Sequence, residues 1–167
     1  MTLPKEGMLE LMRFSAQNVK ESLRDVAEKS IDLTVEIDDL SPRVESEKNA
    51  AVSEEFRTDI LVTLCEAKEK FKAHAFYVNK ALRRAEEFLS DLPARIQAYE
   101  DGYLPDLDKL LIYLQDMGKF IKSNLKVIYN GSQMVKAYRH YVDMVKQLYP
   151  KQTFKQGKGK EKKNEYS

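Results

Sequence analysis

The sequence predicts an all-α fold, an elongated antiparallel helical bundle or coiled coil of three long helices. Three observations carry that expectation. Leu9, Met12, Ala16, Val19, Leu23, Val26, Ser30, Leu33, Ile37 and Leu40 follow one another in alternating steps of three and four. Such steps keep one stripe on one face of a helix. Pro4, Pro42, Pro93, Pro105 and Pro150 then divide the chain into three long intervals, each with a helical apolar period. The composition agrees: 33% charged and 43% hydrophobic residues, no Trp, and only six Gly in 167 residues, so turn formers are scarce.

The first helix is expected from about Pro4 to about Asp39, with Thr2 as a cap and Met8, Leu11 and Phe14 thickening the stripe. Ile31, Leu33, Val35 and Ile37 alternate with polar residues, which is the period of a strand. Helix is preferred there because the heptad phase passes through unbroken and a lone strand has no partner to pair with. Residues 41–53 read as a polar connector. Ser53 followed by Glu54 and Glu55 is a helix start, with acids at the positive end of the helix dipole.

The second helix is expected from about Ser53 to about Asp91, with Phe56, Ile60, Leu64, Ala67, Phe71, Ala75, Val78, Leu82, Ala85, Leu89 and Leu92 as its stripe. Pro93 kinks or ends it, and Glu100-Asp101-Gly102 makes a turn. The third begins at Pro105 and carries Leu107, Leu111, Leu114, Ile121, Leu125 and Ile128. Gly118 falls in that stripe and marks a close crossing. Asn130-Gly131-Ser132 either breaks the helix or is absorbed, and the resumption of the stripe at Val135, Tyr138, Val142, Val145 and Tyr149 favours continuity or a kink. Residues 1–150 therefore form the bundle domain. Residues 151–167, with six Lys and few apolar side chains, form a disordered basic tail.

Several chemistries lack their residues. The glycines are too scattered for a phosphate-cradling loop. His74 and His140 have no Glu three residues before them, so no di-iron motif is present. Cys65 is the single cysteine, which excludes an intramolecular disulfide and a multi-cysteine zinc site; beside Leu64 it reads as a small core residue. Adjacent acids such as Glu54-Glu55 and Glu86-Glu87 diverge by about 100° on a helix and do not converge on a substrate. Ser30, the one polar residue of the first stripe, is small enough to bond a carbonyl of its own helix. No cofactor, metal or catalytic residue is expected, and the chain is read as a non-enzyme.

Two basic stretches are candidates for partner binding. Lys68, Lys72 and Arg83 share a face of the second helix, among interleaved glutamates that would make it a salt-bridged solvent face. Tyr138, Arg139 and Tyr141 form an aromatic-basic cluster on the third, whose tyrosines sit at stripe spacing with hydroxyls at the rim. The net charge of +1 divides into −6 for residues 1–59, +3 for 60–150 and +4 for the tail. The expected function is a helical interaction or scaffold protein, a subunit or adaptor of a larger assembly, with protein partners and self-association into a homodimer. The alternatives are an amphipathic protein on an anionic membrane surface or at a pore, and a nucleic-acid-associated protein using the basic C-terminal region. One cysteine and no secretory signal point to an intracellular, cytoplasmic setting.

Overall fold

The computed structural model describes residues 6–102 and 107–151. They form three helices in the order α1 (Glu6–Ser46), α2 (Glu54–Glu100) and α3 (Leu107–Leu148). At about 1.5 Å per residue each is roughly 60–70 Å long. Short connectors fold them up, down and up into one bundle, so α1 and α3 run the same way and α2 opposes both. Thr2, Pro4, Pro105 and the tail beyond Lys151 lie outside the described residues.

The α1 stripe is the buried seam: Ala16, Val19, Leu23, Val26, Leu33, Ile37 and Leu40 are all buried. Ile31 to Ile37 is helical. Two expectations for α1 are corrected. The helix runs past Asp39 to Ser46 with Pro42 inside it, because Val44 extends the seam and is fully buried. The backbone donor that Pro42 lacks weighs less than that burial. Met8, Leu11 and Phe14 are exposed and do not thicken the core.

Ser53 caps α2, its hydroxyl accepting from the Phe56 N–H at 3.1 Å. The helix continues through Pro93 to Glu100, where Gly102 takes a positive φ of 79° and turns the chain. Its buried residues are Ile60, Leu64, Ala67, Phe71, Val78, Ala81, Ala85, Phe88 and Leu92. Ala81 and Phe88 therefore replace Leu82 and Leu89 as seam residues, and Phe56 is exposed. Cys65 is exposed too, one position past buried Leu64 and so turned about 100° away from it.

α3 passes through Gly131 as continuous helix. Its seam is Leu110, Leu114, Met117, Asn124, Gly131, Val142, Val145 and Tyr149, all buried. Leu125 is exposed. Gly118 marks no close crossing: a Cβ placed there meets nothing within 4 Å. The close crossing is at Gly131, where a Cβ would fall 2.5 Å from His74 Cε1 and 2.7 Å from Val26 Cγ1.

The C-terminal end of α3 is tied to the last turn of α1 and to the first connector. Arg43 Nη1 donates to the Tyr149 carbonyl at 2.7 Å, and Asn49 Nδ2 donates to the Leu148 carbonyl at 2.9 Å. Both satisfy carbonyls that a helix end leaves unpaired.

Candidate protein-binding grooves at the waist

The core is apolar at both ends and changes character between them. One apolar cluster joins Leu33, Ile37 and Leu40 of α1 to Leu64 and Phe71 of α2 and Val142 of α3. Another joins Ala16 to Phe88, Leu110 and Met117 at the far end. Val19, Leu23 and Val78 lead towards the middle. At the waist the residues turned inward are Val26, Ser30, His74 and Gly131. They are small or polar, so three long helices cross closely there without large apolar side chains.

His74 owes its place to the heptad, three residues after Phe71 and four before Val78. Its Nε2 lies 3.3 Å from the Val127 carbonyl of α3. Gly131 leaves room for the ring, which is why glycine occupies a helix interior where it otherwise costs about 1 kcal/mol. The Ser30 hydroxyl is buried without a hydrogen-bond partner among the described residues, so it does not back-bond to its own helix; instead Thr34 Oγ1 donates to the Ser30 carbonyl at 2.9 Å.

A groove flanks the waist on either side of α1. The α1–α2 groove, of about 410 Å³, is lined by Ser30, Thr34, Phe71, His74, Lys68 and Lys72 among others, with Ile31 and Val35 on its rim. Ile31 and Val35 are both 61% exposed. Two branched apolar side chains one helical turn apart beside a pocket are suited to anchor a partner's side chains. The α1–α3 groove is also about 410 Å³, lined by Val26, Lys29, Asp32, Leu33, Ser132, Val135, Lys136 and Arg139.

Among the residues singled out in the sequence, Lys68 and Lys72 come together at the α1–α2 groove and Arg83 does not line it. Lys68 is bound to Asp38 of α1, and that carboxylate holds the ammonium pKa above its ordinary value. The face is therefore only partly self-paired within α2: Arg84 meets Glu87, while Lys20 of α1 reaches Glu86 at 3.9 Å. Tyr138 packs edge-on against Phe71 with centroids 5.6 Å apart, under the Lys70 ammonium. Tyr141 is half-buried against the same apolar cluster. Both tyrosines thus serve the core.

Arg139 belongs to a cross-helix ion cluster. Its Nη1 donates to Glu36 Oε1 at 2.8 Å, its other guanidinium arm reaches the second Glu36 oxygen, and Lys146 joins from two turns further along α3. The Arg139 hydrogen bonds lead in lowering the Glu36 pKa to about 2, against the opposing effect of burial. Asp143, 3.2 Å from Arg139 Nη1, completes the cluster. Ile31, Val35, His74 and Gly131 were not selected as site residues from sequence. Their signal was an apolar pair one turn apart outside the seam, and a His and a Gly at heptad positions.

Among the described residues no group of His, Cys, Asp and Glu could hold a metal ion, and no helix is long and apolar enough to cross a membrane. Compared with known proteins, the chain matches no family model, no curated protein and no solved structure.

Proposed function

We propose that this chain is a non-enzymatic helical scaffold or adaptor, an intracellular subunit that holds protein partners along the outside of its bundle. The observation that carries the reading is Ile31 and Val35, 61% exposed on the rim of the α1–α2 groove. Large apolar side chains grouped around a concavity gain from being covered by a partner, at about 25 cal/mol per Å² of apolar area removed from water. Lys68 is already paired with Asp38, and Lys72 shares the lining with Glu69, so apolar contact rather than charge leads in selecting the partner.

Affinity capture from the native cell, followed by cross-linking through lysines, tests this. Links from a captured protein to Lys68 and Lys72, absent when Ile31→Asp and Val35→Asp are introduced together, support the reading. Links scattered evenly over the bundle and indifferent to the double substitution contradict it.

A further inference from the structure

The outer face formed by α1 and α3 carries a charge pattern that the core does not require. From Met117 to Val142, α3 has no Asp or Glu and five basic residues, Lys119, Lys122, Lys126, Lys136 and Arg139. Arg139 is tied to Glu36, but the four lysines form no ion pair among the described residues. Leu125 and Tyr129 stand among them, 56% and 63% exposed. Alongside, Asp25, Asp32 and Asp39 of α1 follow one another at seven-residue steps, Asp25 lying 3.1 Å from Lys29 of its own helix. The α1–α3 groove shows which heptad positions look outward here: Asp32 on α1, Ser132 and Lys136 on α3. Seven-residue steps place Asp25 and Leu11 with Asp32, Tyr129 and Lys122 with Lys136, and Leu125 and Gly118 with Ser132. One face thus bears an acidic stripe and a basic stripe side by side, each with exposed apolar residues.

We propose that this face binds a second copy of the chain, with the two copies parallel and related by a two-fold axis along the bundle. That operation lays α1 of each copy on α3 of the other, acidic stripe on basic stripe, twice over. A two-fold axis across the bundle would lay α1 on α1 and α3 on α3, with like charges opposed.

The helix register makes the stripes meet at the same height. Glu36 bonds to Arg139 and Arg43 to the Tyr149 carbonyl, separations of 103 and 106 residues. Level positions on α1 and α3 therefore pair Asp25 with Tyr129 and Asp32 with Lys136. A parallel two-fold brings level residues of opposite copies together, so Asp32 meets Lys136 and Asp25 comes within about a turn of Lys126. The surface does not depend on the α1–α2 groove, so the dimer and the partner reading stand or fall separately.

Sedimentation of the full chain tests the proposal. The wild type is expected to dimerise at low salt and to weaken by about tenfold or more as ionic strength rises. Lys126→Glu with Lys136→Glu gives a monomer, as does Asp25→Lys with Asp32→Lys, each with the wild-type circular dichroism spectrum. The chain carrying all four substitutions dimerises again, since opposite charges once more face each other. That rescue separates the parallel two-fold from the crossed one, where like charges would still be opposed. A wild type that stays monomeric at low salt and high concentration overturns the proposal. So does a monomer that co-sediments with phosphatidylserine vesicles through Lys126 and Lys136, which would give the face to a membrane.

Discussion

Gly131 of α3 and His74 of α2 share one space at the waist: a Cβ on the glycine would stand 2.5 Å from the imidazole Cε1. Val26 Cγ1 closes the third side at 2.7 Å, and Val26 is stiff at χ1 in a helix. Gly131→Ala therefore gains helix propensity but forces two helices apart, for a net loss of about 1–3 kcal/mol. Gly118→Ala has the same propensity gain and open space around it, so it should stabilise by about 0.5–1 kcal/mol. Urea denaturation of the two variants checks the contrast; equal effects would deny the close crossing at Gly131.

The Glu36 cluster sets a pH dependence with a definite sign. Its folded pKa, about 2, lies below the ordinary 4.5, so the native state holds its proton less readily than the unfolded chain. The resulting stability is present above about pH 5 and is lost as pH falls from about 4.5 towards 2. Discounted for solvent exposure, Glu36→Gln should cost about 1–2 kcal/mol at neutral pH. The gap between wild type and variant should close near pH 2 in denaturation curves measured across that range. A gap independent of pH would remove the ion cluster from the account.

Cys65 lies outside the seam and is exposed. In the folded protein it should react completely with a thiol reagent without denaturant, and Cys65→Ser should change stability by no more than about 0.5 kcal/mol. A thiol that reacts only on unfolding would return it to the core.

Ser30 is buried among apolar seam residues with an unpartnered hydroxyl. Ser30→Ala removes the desolvated group at the cost of a very small void, so the free bundle should become more stable by about 0.5–1 kcal/mol. Thermal unfolding of the variant measures this; clear destabilisation would mean that the hydroxyl is satisfied in solution.

The helices and their order were legible because α1 keeps one polar residue in an otherwise apolar seam, which leaves its phase unambiguous. Ile31 to Ile37 shows the limit of local pattern: the strand-like alternation arises because Ile31 and Val35 are apolar yet exposed, while Leu33 and Ile37 are buried. The α2 phase was harder to read, since at His74–Ala75, Ala81–Leu82 and Phe88–Leu89 either residue could hold the seam position. Choosing Ala75, Leu82 and Leu89 shifted the stripe by one place. On α3, Tyr113, Phe120, Val127, Met134 and Tyr141 add a half-buried row beside the seam and broaden the apolar face, which obscures its centre. Arg139 was visible as a basic residue, but its commitment to Glu36 depends on a register between helices 103 residues apart. The grooves were invisible for the same reason: each belongs to two helices.

The interaction reading rests on the α1–α2 groove, and one binding measurement addresses it. With a partner purified after capture on the wild-type chain, affinity is compared between wild type and the Ile31→Asp, Val35→Asp variant. Both side chains point to solvent, so the variant should keep its helical spectrum. The account predicts at least about tenfold weaker binding, the loss expected when an anchoring apolar pair is replaced by charge. Equal affinity in a folded variant would contradict it.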